Sequence, residues 1–224
     1  MGRWSHVESG SDGKLRKGRV SDAVIRRLPR YFRHLTDLEL AGVVRISSSA
    51  LGQSMGLTAS QIRQDLSCFG EFGQQGYGYN VENLRREIAD ILGMRQGHTA
   101  VLLGAGNLGR ALMENFHFER SGFTLQAAFD VCPEVVGVKM AGLTVRHANT
   151  LEEYLQEHPC DVGVLTVPRS AAQCSADRLI ASGVKGIWNF TNIELQHGAG
   201  GVRVENVHFA DSLLTLSYLI SEGV

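Results

Sequence analysis

A chain of 224 residues with 43% hydrophobic content is long enough for two small globular domains, each burying its own core. The net charge of −1 conceals an asymmetry: residues 1–80 carry 11 Lys and Arg against 7 Asp and Glu, and the remainder 11 against 16, so the two halves face different partners. The cysteines at 68, 132, 160 and 174 form no Cys-x-x-Cys pair and no histidine spacing completes a zinc site, which argues against metal or disulfide staples and for reduced, cytoplasmic thiols. No apolar run approaches the roughly 18 residues of a membrane span. The N-terminus lacks the apolar middle of a signal peptide.

Residues 1–20 read as a disordered tail. From Ser21, a cap, apolar residues recur at Val24, Ile25, Leu28, Tyr31, Phe32 and Leu35, the spacing of an amphipathic helix. Pro29 lies inside it and predicts a kink or a displaced start. Ser47–Met55 reads as a second helix stopped by Gly56, and Thr58–Phe69 as a third capped by Thr58, with Ile62, Leu66 and Phe69 on one face. Ser60, Gln61, Arg63, Gln64 and Ser67 occupy the other face, with lengths that reach base edges and phosphates. Such a face is either the reader of a helix-turn-helix or a solvated side of a small bundle. The following GEFGQQGYGYN alternates glycine with aromatics, as a hairpin with Gln74-Gln75 at its tip does, and this wing favours the reader. With Ser47, Ser49, Thr58 and Tyr77 added, the candidate DNA-binding set is Ser47, Ser49, Thr58, Ser60, Gln61, Arg63, Gln64, Gln74, Gln75 and Tyr77.

Val81–Leu92 is another amphipathic helix, and glycines at 93 and 97 break the chain into a second domain. There, strands (100–103, 125–129, 162–167, 186–189, 202–204) alternate with helices (from 107, 151–157, 171–182), the pattern of a doubly wound parallel sheet. Its first strand runs into Gly104-Ala105-Gly106-Asn107-Leu108-Gly109, a Gly-x-Gly-x-x-Gly turn opening a helix. Gly104 permits the sharp turn, Gly106 lets a pyrophosphate approach the backbone, and Gly109 lets helix pack on strand. Asp130 ends the next strand, either as a plain turn former or as a carboxylate that holds a ribose diol and repels a 2′-phosphate, which favours NAD(H) over NADP(H). Thr166, Val167 and Pro168 end a further strand on the ligand side of the sheet. So do Asn189, Phe190 and Thr191: Asn189 or Thr191 bonds a nicotinamide amide, and Phe190 either packs on its ring or is plain core. No histidine joins an Arg and an Asp in a hydride-transfer arrangement, and no residues are left for a substrate domain, so a dehydrogenase is disfavoured. Residues 209–220 are apolar nearly all round and belong either to the sheet or to a second subunit.

The motifs TASQIRQDLSCFGEFG, GYGYNV, GAGNLG, LTVPRSAAQ, KGIWNF and VENVHFADSLLTLSY resemble those of the Rex redox-sensing transcriptional repressors from about Ser21 to the C-terminus. The resemblance implies a winged helix-turn-helix domain (21–95), a Rossmann domain (96–207) and a C-terminal helix (208–224) exchanged in a homodimer. It also implies a non-enzymatic repressor, bound to an inverted-repeat operator in double-stranded DNA and released when NADH replaces NAD+. An oxidoreductase and a CoA- or other nucleotide-binding module are the alternatives.

Three departures from the family pattern bear on specificity. Arg63-Gln64-Asp65 stands where Arg-Lys-Asp is usual, and Gln pairs bidentately with adenine, so one G·C pair per half-site is expected to become A·T at about 1–3 kcal/mol of discrimination; site selection returning G there refutes it. Gln74-Gln75 replaces basic wing residues, which predicts a salt slope shallower by about 0.9 per lost phosphate contact. A Gln75→Arg variant with an unchanged slope counts against this. The family switch joins an Arg, matched by Arg33, with a Tyr and an Asp that here align with Asn115 (or Phe116) and His208, so no Tyr–Asp bond exists. His208 is either a plain structural histidine or makes release pH-dependent, an idea that a flat response between about pH 6 and 8 removes.

Overall fold

The structure, a computed structural model, describes residues 20–74, 77–196 and 201–223, and of Gln74 only the backbone. The tail expected over 1–20 lies outside the described residues except for Val20, as do Gln75 and the Gln74 side chain. Two compact units divide at Leu92/Gly93.

In the first unit, α1 (Asp22–Leu40) starts where Ser21 Oγ accepts the Val24 N–H at 3.4 Å, and it buries Val24, Leu28, Tyr31 and Leu35 along one stripe. Pro29 does not displace this start. Burial of three large side chains just before and after it offsets the roughly 3 kcal/mol a helical proline costs. A short strand, β1 (Arg45–Ile46), precedes α2 (Ser48–Met55), which Ser47 caps and Gly56 ends in the left-handed conformation, φ 68°. Helix α3 (Ala59–Ser67) is capped by Thr58 Oγ1 and stops two residues before the expected Phe69. Strands β2 (Gly73–Gln74) and β3 (Gly78–Asn80) form the expected hairpin, and β1 joins it antiparallel in the order β1-β3-β2. Helix α4 (Val81–Ile91) buries Val81, Leu84, Ile88 and Ala89 and completes the core with Tyr31, Leu35, Leu51 and Ile62. Four helices and a winged hairpin make this unit a winged helix-turn-helix.

The second unit contains β4 (His98–Leu103), α5 (Asn107–Asn115), β5 (Phe123–Asp130), β6 (Lys139–Met140), β7 (Leu143–Thr144), β8 (Arg146–His147) and α6 (Leu151–Glu157). It continues with β9 (Val162–Leu165), α7 (Arg169–Ala181), β10 (Gly186–Asn189), β11 (Arg203–Asn206) and α8 (Phe209–Ser221). Six strands pair in parallel in the order β11-β10-β9-β4-β5-β8, and β6 and β7 form a separate hairpin. Strand order reverses between β4 and β9, the Rossmann switch point, outside whose carboxyl ends ligands bind. Alternate β4 residues feed two core layers: Val101 and Leu103 pack with Leu151, Leu165 and Leu179, while Ala100 and Leu102 pack with Met113, Ala128 and Val164. Helix α8 buries none of its residues, although Leu213, Leu214, Leu216, Leu219 and Ile220 lie along it.

Candidate functional site

The pocket begins with space. Gly104 has φ +100°, and a Cβ there would lie 2.7 Å from the Thr166 backbone carbonyl, so only glycine fits between β4 and the connection after β9. A Cβ on Gly109 would strike the Gly104 carbonyl oxygen and lie 3.0 Å from Thr166 Oγ1. Gly106 differs: its φ of −71° suits any residue, nothing lies within 4 Å of its Cβ position, and it is exposed. Gly104 and Gly109 therefore serve the fold, and Gly106 leaves open space beside the N-terminus of α5, which has no side-chain cap and whose N–H groups and helix dipole suit an anion. That opening fits a dinucleotide pyrophosphate.

Register brings the walls together. Leu103 pairs with Phe129 and with Leu165, and Leu165 with Asn189, so Gly104, Asp130, Thr166 and Phe190 leave four adjacent strands at one level. Asp130 is fixed there: Oδ2 accepts the Ala105 N–H at 2.7 Å and Oδ1 the Cys132 N–H at 2.8 Å, leaving one lone pair on each oxygen for a diol. Thr166 Oγ1 donates to the Gly104 carbonyl at 2.7 Å, bracing the turn, while Pro168 caps α7. Asn107 is exposed at the start of α5, whereas Ala105 is buried, and Leu108 and Val167 pack on the core.

Two residues expected at the cofactor are engaged within the protein. Asn189 Nδ2 donates to the Ile193 carbonyl and to Asn206 Oδ1, each at 2.8 Å, and Asn189 Oδ1 accepts the Thr191 N–H and hydroxyl at 3.1 and 2.6 Å. Both hydrogens and both lone pairs of the Asn189 amide are engaged within the protein. The Phe190 ring lies 4.6 Å from Trp188 and 6.0 Å from Phe209. Phe116 likewise packs among Phe118 and Trp188. Asn115 donates to the Ala111 carbonyl of its own helix, and His208 Nε2 lies 3.3 Å from Glu194 Oε1. Arg33 is exposed on α1 in the other unit.

The opposite, amino end of the sheet is closed by charge. Asp161 accepts Lys185 Nζ at 2.6 Å and the Thr99 N–H at 3.0 Å, and His98 Nδ1 lies 3.6 Å away. The Lys185 hydrogen bond, helped by the Thr99 amide, pulls the Asp161 carboxyl down to about 2. Spacing gave no signal for this cluster.

On α3 the exposed face carries Ser60, Arg63, Gln64 and Ser67, opposite buried Ile62 and Leu66. Arg63 donates to Ser48 Oγ at 3.0 Å. Ser47 and Thr58 accept backbone N–H groups as caps, which leaves each hydroxyl hydrogen free for a phosphate, and Ser49 is exposed near by on α2. Tyr77 is exposed on the wing, with the Arg45 guanidinium 5.9 Å from its ring centre. Arg45 went unnoticed in the sequence because a two-residue strand has no periodicity. Gln61, expected on the DNA face, instead turns its amide inward to Asp65 at 2.8 Å. Among the described residues no His, Cys, Asp and Glu group could hold a metal ion, and no helix is long and apolar enough to cross a membrane.

Known proteins share this arrangement. A family model described as a putative DNA-binding protein N-terminus matches residues 19–67, and one described as a CoA binding domain matches residues 95–193. A redox-sensing transcriptional repressor Rex of Clostridium beijerinckii is 50% identical over 207 residues, covering 91% of this chain and 96% of its own length. Its counterpart from Thermoanaerobacter pseudethanolicus is 48% identical, covering 92% of each. Among solved structures, RSP in complex with β-NAD+ and operator DNA matches at 48% identity and TM-score 0.85, covering 91% of this chain and 94% of that one. RSP in complex with β-NADH matches at 45% identity and TM-score 0.86, covering 92% and 97%. Because these likenesses run through both units, winged and nucleotide-binding alike, the chain belongs to the Rex family of redox-sensing transcriptional repressors.

Proposed function

We propose that the protein is a repressor that holds an inverted-repeat operator as a homodimer and lets it go when NADH replaces NAD+, with no catalytic step. The observation that carries this is the pairing of an open Gly106 cradle beside a fixed Asp130 with an exposed polar recognition helix in one chain. The RSP relatives, solved with NAD+ and operator DNA and with NADH, support both ligands. Gly104, Gly106, Asn107 and Asp130 form the dinucleotide site, with Thr166, Val167 and Pro168 as its far wall. Ser47, Ser49, Thr58, Ser60, Arg63, Gln64 and Tyr77 face the DNA. Helix α8, apolar and unburied, is the element exchanged with a second copy. An operator ligand puts the working place in the cytoplasm.

Shifting the dimer from 99:1 to 1:99 between DNA-binding and released conformers requires NADH to favour the released one by about 10⁴, or roughly 5.5 kcal/mol. Coupling is reciprocal, so operator DNA weakens NADH binding by the same factor. Mobility shift on an inverted-repeat operator, with NADH and NAD+ titrated separately, tests the proposal. Release by NADH alone is expected; retention of DNA with the pocket demonstrably filled overturns it.

A further inference from the structure

Asp65, on α3, is 0% exposed, although the residues flanking it in the sequence are those of a DNA-reading motif. Four donors meet its two oxygens. Arg27 Nε reaches Oδ2 at 2.7 Å and Arg27 Nη2 reaches Oδ1 at 2.8 Å, the two-point grip of a guanidinium on a carboxylate. The Tyr31 hydroxyl adds a bond to Oδ2 and Gln61 Nε2 one to Oδ1, each at 2.8 Å. Arg27 and Tyr31 are one turn apart on α1, and Gln61 and Asp65 one turn apart on α3, so two helix faces close on a single buried carboxylate. Burial by itself pushes this carboxyl up, but the bonds from Arg27, Gln61 and Tyr31 outweigh it and hold the group below the usual carboxylate range. A planar fork on a carboxylate fixes both the distance and the rotation of one helix against the other.

We propose that Gln61 and Asp65 are positioning residues that lock the recognition helix to α1 and so set its angle in the groove, and that Gln61 reads no base. The proposal rests on the reading above that α3 recognises an operator. It changes what the helix reads: the bases are left to Ser60, Arg63, Gln64 and Ser67, which the structure leaves exposed.

Binding-site selection and affinity measurements on the full-length wild type, Gln61→Met, Asp65→Asn and the double variant test it, with NADH affinity as the check that the second unit is intact. Losing one hydrogen bond to a charged group predicts that Gln61→Met weakens binding about tenfold on every operator alike. Base preference and salt slope are expected to stay as in the wild type. The double variant is expected to bind no worse than Asp65→Asn, because both act through one carboxylate. A Gln61→Met variant that relaxes preference at one base pair per half-site overturns the proposal, as does an unchanged affinity or a loss that multiplies with that of Asp65→Asn. If Asp65→Asn does not fold, the selection profile of Gln61→Met, a half-buried position, decides alone. A wild type that selects no operator sinks the functional reading and this proposal together; a wild type that selects one while Gln61→Met alters a single base preference sinks only the proposal.

Discussion

The two ends of the parallel sheet are built by opposite means. At the carboxyl end the chain removes side chains: Gly104 and Gly109 bring backbone against backbone, and Gly106 leaves the start of α5 open. At the amino end side chains fill the edge, where Lys185, Thr99 and His98 gather around Asp161. The strands are the same, so the difference lies in the connections. Where order reverses between β4 and β9, the chain leaves to opposite faces and opens a crevice that a ligand can enter. The amino end has no such divergence to keep clear, and an ion pair between exposed Lys185 and half-buried Asp161 can close it.

The sharpest test of that contrast is Gly109→Ala, whose methyl would collide with the Gly104 carbonyl. Overpacking of this kind costs about 1–3 kcal/mol or more, and we expect NADH titration to show loss of binding by at least about a hundredfold together with a lower unfolding midpoint. Asp130→Asn comes next. It exchanges one acceptor oxygen for a donor facing the Ala105 or Cys132 N–H, so NADH affinity is expected to fall about tenfold or more and discrimination against NADPH to shrink. Gly106→Ala separates fold from function within one motif: stability is expected within about 0.5 kcal/mol of wild type because the position is open and its φ ordinary, while NADH affinity drops. A Gly106→Ala protein that binds NADH normally would break the contrast.

At the other end the expected effect is smaller and falls on stability alone. Asp161→Asn is expected to destabilise the protein by about 1–2 kcal/mol at neutral pH with NADH affinity unchanged. The sign follows from the carboxyl held at about 2, below its unfolded value of about 3.9. Its contribution is present in full above about pH 4 and is lost as pH falls towards 2, so the gap between wild type and variant in denaturant melts closes over that window. A gap that widens on acidification would show that Asp161 acts otherwise.

Much of the fold could be read from spacing because it depended on periodic burial and caps. Ser21, Ser47 and Thr58 announce α1, α2 and α3, and five of the six strands of the parallel sheet, all but β8, announce themselves as runs in the sequence. Strands β1, β6, β7 and β8 were illegible, since two residues cannot show alternation. The glycine turn was legible because steric demand is written into residue type. The inward polar groups were not. Asp65 and Asn189 look like surface chemistry in a sequence, and only partners distant along the chain reveal that their hydrogen bonds are already taken; Gln61 follows Asp65 inward from one turn away. Pattern assigns a face by hydrophobicity, and a buried carboxylate is invisible to it.

Helix α8 carries one more consequence. With α8 exchanged between two copies as proposed, a segment whose leucines are all exposed among the described residues of its own protomer takes its cover from the second copy. Unfolding midpoints are then expected to climb with protein concentration, each tenfold dilution removing about 1.4 kcal/mol from the assembled state. Cellular abundance would thus enter the response beside the nicotinamide ratio: a scarce sensor would fall apart before it could be switched.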